Sequence, residues 1–315
     1  MCTRPGRLPF AEKFVTCGFK TNLVMKPLTL KGCGTALFTP FRNGKVDEAA
    51  FAATVRRQVE AGIHFLVPLG TTGETPCLSV AERQRVLALA RENAPGKTLL
   101  VGGGTNSLTA TLESMAQLPD ADAFLIVVPY YNKPNQTGLY EYYKAVAGST
   151  DKPIVIYNVP GRTGANITAE TTLRLAEEIP NIVAVKEASS NYKQISEIIR
   201  CKPEGFSVLS GNDDETLSLM ATGADGVVSV ASNIAPREMV TLVEALQEDD
   251  MVKARAYHHL LSPLFKACFV EPNPIPGKAA MARLGLMANE LRLPLVPASQ
   301  KTEELIAKTL DELWK

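Results

Sequence analysis

The chain has 315 residues with 33 basic and 33 acidic side chains, a formal net charge of zero. Apolar residues make up 45% and charged ones 21%, which allows a large buried core and excludes wholesale disorder. The balanced charge excludes the basic footprint of a nucleic-acid binder, and no apolar run, 123–128 included, is long enough to span a membrane.

In chain order, residues 1–29 come first, mixing Arg4, Arg7, Lys13 and Lys20 with Phe and Pro. They lack the continuous apolar stretch of a secretory signal, so export is not expected and a cytoplasmic location is. The segment reads as an N-terminal extension, either disordered or an overlong start with Met25 as the second candidate. Six cysteines are scattered without a CxxC pair, which fits free thiols in a reducing compartment. The three histidines, His64, His258 and His259, form no local metal-ligand pattern, so no metal is expected.

From Leu30 onward, short β-rich runs alternate with helical patterns. Strands are predicted at 34–38, 65–70, 98–102, 123–129, 153–158, 182–188, 206–211 and 226–230. Amphipathic helices are predicted at 48–61, 81–93, 138–147, 170–178, 192–200, 215–222 and 236–248. Their starts carry caps: Asp47, Ser79 with Glu82 three residues on, and Thr168. Single helices between strands demand parallel pairing. Eight such units, with Thr39-Pro40-Phe41-Arg42 rather than GxGxxG after the first strand, favour a closed (β/α)8 TIM barrel over an open doubly wound sheet. The barrel is assigned to 30–250. A C-terminal helical appendage follows over 251–315, with helices predicted at 251–270, 278–286 and 301–313.

Catalytic groups of such a barrel sit where strands end and βα-loops begin. Lys186 ends the apolar run Ile182-Val183-Ala184-Val185. Burial disfavours an ammonium, and a neutral amine attacks a ketone to form a Schiff base. A buried stem with its head at the solvent, or paired with an acid, is the structural alternative. Tyr157 ends the neighbouring strand and could shuttle protons with Thr71 and Tyr131, or simply fill the barrel. The Gly70-Thr71-Thr72-Gly73-Glu74 turn offers N–H groups and two hydroxyls to a carboxylate, although turns of this composition also serve conformation alone. Arg162, in a Pro-Gly-Arg-Thr-Gly loop, has the fork for bidentate carboxylate capture, although solvated loop arginines are commoner. Gly102-Gly103-Gly104 lacks a nucleotide-binding context and reads as a close-packed strand end. His64 falls at the opposite face of the barrel.

Gly70–Glu74, Tyr130-Tyr131-Asn132, Tyr157-Asn158-Val159-Pro160 with Arg162-Thr163-Gly164, Val185-Lys186-Glu187-Ala188 and Glu271-Pro272-Asn273-Pro274-Ile275-Pro276 together resemble the dihydrodipicolinate synthase family, pyruvate-dependent Schiff-base aldolases of class I. The resemblance runs from Leu30 to the C-terminus and implies condensation of pyruvate with L-aspartate 4-semialdehyde to 4-hydroxy-tetrahydrodipicolinate. That is the first committed step of diaminopimelate and lysine biosynthesis. It implies that Lys186 forms the adduct, that Tyr157, Thr71 and a partner subunit's Tyr131 relay protons, and that Thr72 binds the pyruvate carboxylate. The backbones of Gly211 and Val228 would line the pocket, and Arg162 would hold the second carboxylate. No cofactor is implied, and a homodimer or a homotetramer built as a dimer of dimers is.

Three alternatives carry distinct signatures. N-acetylneuraminate lyase resembles the scaffold, but its second-strand motif usually begins Gly-Ser-Thr-Gly and it lacks the arginine at Arg162. A catalytically silent paralogue would fail an assay with pyruvate and the semialdehyde, and a pyridoxal-phosphate barrel would absorb visible light. The resemblance also bears on feedback by L-lysine. Thr75, Asn106 and Tyr130 match or nearly match the effector cleft of inhibited bacterial members, whereas Val80, Arg83 and Ala110 depart from it.

Overall fold

The computed structural model describes residue 28 and residues 30–315; the 1–29 extension otherwise lies outside the described residues. Eight parallel strands close into a barrel in sequential order: β1 Gly32–Ala36, β2 Phe65–Val67, β3 Thr98–Gly102, β4 Ala123–Val127, β5 Ile154–Asn158, β6 Ile182–Glu187, β7 Ser207–Ser210 and β8 Gly226–Ser229. β1 pairs with both β8 and β2, so no edge is left open. The alternating helices are α1 Glu48–Glu60, α2 Val80–Asn93, α3 Leu108–Ala116, α4 Gln136–Gly148, α5 Ala169–Glu178, α6 Tyr192–Cys201, α7 Thr216–Thr222 and α8 Pro236–Gln247. The predicted caps are in place: Asp47 and Thr168 accept N–H groups three residues on, and Ser79 and Glu82 complete a reciprocal box.

Several boundaries move for identifiable reasons. The predicted strand 65–70 ends at Val67, with one further bond from the Gly102 N–H to the Pro68 carbonyl (3.1 Å), because Leu69 takes a left-handed backbone (φ 58°) that breaks the extended run. Helix α3 fills a stretch that carried no predicted helix; Ser107 caps it through the Ala110 N–H. A short hairpin, Phe41–Arg42 against Lys45–Val46, was not predicted either.

Three further helices follow: α9 Met251–Ala267, α10 Ile275–Arg283 and α11 Gln300–Leu313. They share one continuous hydrophobic core with the barrel, in which Leu261, Leu264, Ile306 and Leu310 pack in the same cluster as Val55, Leu66 and Ile156. Their connecting segments reach the C-terminal mouth. Glu290 accepts the hairpin N–H groups of Asn43 and Gly44 at 2.8 and 2.5 Å, and Arg292 donates to the Gly44 carbonyl at 2.8 Å. No helix among the described residues is long and apolar enough to cross a membrane.

Candidate active site

A cavity of about 540 Å3 opens at the C-terminal mouth, where strand ends and βα-loops converge. Lys186 projects into it from the end of β6, and Tyr157 from the facing position of β5, the two being register partners in the ladder. The Lys186 Nζ lies 4.0 Å from the centre of the Tyr157 ring. Both side chains are more than nine-tenths buried, at 7% and 8% exposure, yet both line the cavity. The amine therefore meets a ligand at the wall of a recessed cavity, with the rest of its side chain packed away. Gly211, past the end of β7, makes room for it: a Cβ there would come within 3.1 Å of the Lys186 Cε and 2.7 Å of the Ala188 Cβ.

The turn after β2 forms the next wall. Thr71–Gly73 is a single 3-10 turn, tied down where Thr39 Oγ1 donates to the Gly73 carbonyl (2.8 Å) and Thr75 Oγ1 to the Gly70 carbonyl (3.0 Å). The Asn273 side-chain amide donates to Thr72 Oγ1 at 2.9 Å. With its oxygen already accepting, the Thr72 hydroxyl proton is free to meet a carboxylate. Arg162 stands on a helical turn, Pro160–Thr163, where a loop was expected; proline at its start presets the backbone. Its guanidinium donates to the Asn273 carbonyl at 3.1 Å. One residue from the C-terminal segment thus touches both a hydroxyl and a cation of the wall.

The wall's charge is one-sided. Lys186, Arg162 and Arg83 line it, and no Asp or Glu does among the described residues. A cavity of this kind favours small carboxylates. Glu187, next to Lys186, faces away from it: its carboxylate accepts from Asn158 Nδ2 (3.0 Å) and from Gln194 Nε2 on α6 (2.9 Å), and burial raises its pKa. No group of three or more His, Cys, Asp or Glu that could hold a metal occurs among the described residues. His64 sits at the opposite face as expected, its Nδ1 accepting the Cys33 N–H at 3.2 Å.

Of the residues singled out from sequence, Lys186, Tyr157, Thr71, Thr72, Arg162 and Gly211 meet in this one cavity. Tyr131 does not: it is 88% exposed at a left-handed backbone position (φ 70°), outside the wall, while Tyr130 lines it. Val228 is buried in β8, two residues before Val230, which lines the wall. Sequence reasoning missed the part played by Asn273. The Pro-Asn-Pro segment marks its position, but nothing local signals contacts to Thr72 and Arg162, 201 and 111 residues away. It also missed the ion pair of Glu74 with Lys278, buried beneath the turn.

The chain matches the model of the dihydrodipicolinate synthetase family over residues 29–313. It is 49% identical over 285 residues to the 4-hydroxy-tetrahydrodipicolinate synthase of Fervidobacterium nodosum, an alignment covering 90% of this chain and 98% of that protein. The crystal structure of dihydrodipicolinate synthase from Thermotoga maritima matches with a TM-score of 0.89 at 46% identity, covering 91% of this chain and 99% of that one. The chloride-inhibited synthase from Acinetobacter baumannii, complexed with pyruvate, matches with a TM-score of 0.88 at 37% identity over 90% and 99% of the two chains. With the barrel, the buried lysine and the cationic cavity, these matches establish that the chain belongs to the dihydrodipicolinate synthetase family.

Proposed function

We propose that this chain condenses pyruvate with L-aspartate 4-semialdehyde to 4-hydroxy-tetrahydrodipicolinate, the first committed step toward diaminopimelate and lysine. The observation that carries the reading is a nearly buried lysine amine, against a tyrosine, in a cavity whose charged groups are all cationic. The Lys186 amine attacks the pyruvate ketone carbon, and water leaves to give an imine. Loss of a methyl proton gives the enamine, whose carbon attacks the aldehyde. The substrate's own amine then displaces Lys186 from the imine carbon, closing the ring and freeing the lysine. One water is released overall.

Each proton movement needs a nearby donor or acceptor, and Tyr157 and Thr71 line the cavity for it. Tyr131 completes the relay from a partner subunit, which accounts for a tyrosine held out in solvent on a left-handed backbone. Thr72 takes the pyruvate carboxylate, with the backbones of Gly211 and Val228 around it. Arg162 takes the carboxylate of the semialdehyde. The working unit is a homodimer or a dimer of dimers in the cytoplasm.

The test is a reductase-coupled assay with pyruvate and the semialdehyde, run beside an assay of N-acetylneuraminate cleavage. Turnover of the first pair with negligible cleavage of the second is expected. Efficient cleavage, or no condensation, would overturn the substrate assignment.

A further inference from the structure

Lys278, on α10, is a second buried lysine, fully enclosed where Lys186 is not, and the proposed chemistry does not use it. Its Nζ lies 2.6 Å from Oε1 of an equally buried Glu74. The other carboxylate oxygen, Oε2, accepts the backbone N–H of Arg292 at 3.0 Å. The Phe41 ring contacts both cations, its centre 4.2 Å from Lys278 Nζ and 4.5 Å from Arg292 Cζ.

Removing two charges from water costs more than an apolar pair of the same volume would, so the pair is a poor way to gain stability. Its use lies in where it holds the chain. Glu74 ends the Gly70–Glu74 turn in a left-handed conformation (φ 53°, ψ 34°), which a side chain other than glycine's keeps only when its surroundings fix it. Two residues earlier, Thr72 lines the cavity. From the barrel side the Thr39 hydroxyl donates to the Gly73 carbonyl of the turn, and Asn273 donates to the Thr72 hydroxyl, but the Glu74 carboxylate bonds the turn to both α10 and the segment at Arg292. An ion pair fixes distance and direction together, as apolar contact does not.

We propose that the Glu74–Lys278 pair is a positioning device that holds Thr72, and Thr71 beside it, at the distance the carboxylate of the 2-keto acid requires. The pair touches no substrate and acts through the turn. This rests on Thr72 being the pyruvate-carboxylate ligand.

The test uses the full-length double variant Glu74→Gln/Lys278→Met, which removes both charges together and strands neither. Folding is checked by thermal unfolding, and half-saturation by pyruvate is read from borohydride trapping and from the coupled assay. The expected result is cooperative unfolding near the wild-type temperature with the pyruvate KM raised about tenfold to a hundredfold, the scale of a small misplacement of a binding group. The semialdehyde KM should stay within about twofold, since Arg162 is held by a different contact. A pyruvate half-saturation within about twofold of wild type would overturn the proposal, as would equal changes in both KM values. Should the double variant not fold, Glu74→Gln alone, which keeps an acceptor for Lys278, is read by the same criteria. Absence of any pyruvate adduct in the wild type would instead overturn the underlying assignment of function.

Discussion

Lys186 and Tyr157 meet because parallel register places them opposite each other at the penultimate positions of two strands that are buried except at Val183. Their legibility had a physical basis: a polar side chain ending an otherwise apolar strand must have a partner or a purpose. Asn273 has no such mark, since its contacts depend on how the C-terminal segment returns over the mouth. Arg162 was legible by residue type, but its anchoring to the Asn273 carbonyl was not. That anchoring gives its substitution a distinct signature. Arg162→Ala should lower kcat/KM for the semialdehyde by about thirtyfold or more, the low end for a lost charge-pair partner. Borohydride trapping of pyruvate should stay near wild type. Steady-state kinetics with each substrate varied in turn checks this, and an unchanged semialdehyde dependence would contradict it.

The alternation of strands and helices and the cap residues were readable because each depends on local chemistry. Strand ends were less so: an apolar residue such as Leu69 continues the pattern while its backbone already turns away. Helix α2 shows how a locally readable device acquires a distant role. Glu82 completes the cap with Ser79, and its carboxylate also accepts both forks of Arg292, 210 residues on. The guanidinium and the cap N–H hold the Glu82 carboxyl down to about 2, from an ordinary 4.5. A depressed carboxyl contributes stability that is fully present above the unfolded value and is lost as pH falls through the folded one. Lowering the pH from about 4.5 to 2 should therefore remove about 1 kcal/mol from this contact, the size of a solvent-screened pair. Urea unfolding across that range should show a shallower loss in Glu82→Gln; identical slopes would contradict the assignment.

At the scale of the molecule, the sequence pattern carried the barrel, since eight alternating units admit few closures, but not the seating of the C-terminal helices. That seating depends on contacts such as Lys278 with Glu74, 204 residues apart. The exposed Tyr131 makes the assembly testable. Tyr131→Phe and Lys186→Ala, each inactive alone, should regain partial activity when mixed and allowed to exchange subunits; full activity in a demonstrated monomer would refute a shared site. Regulation is a second whole-molecule property. Thr75, Arg83 and Tyr130 line the same cavity as Lys186. The resemblance implies that Val80, Arg83 and Ala110 replace groups suited to L-lysine in inhibited bacterial members, and a guanidinium at Arg83 would repel its ammonium. Free L-lysine titrated into the coupled assay should therefore give half-inhibition no lower than the millimolar range, and a lower value would show that other side chains rebuild the site. The central claim, that Lys186 is the nucleophile for pyruvate, is tested most directly by intact mass spectrometry after borohydride reduction with pyruvate. The wild type should gain one reduced pyruvyl group per chain, mapping to the peptide that contains Lys186, and Lys186→Arg, whose guanidinium stays protonated, should gain none. An adduct that persists in Lys186→Arg, or one that maps to another lysine, would contradict it.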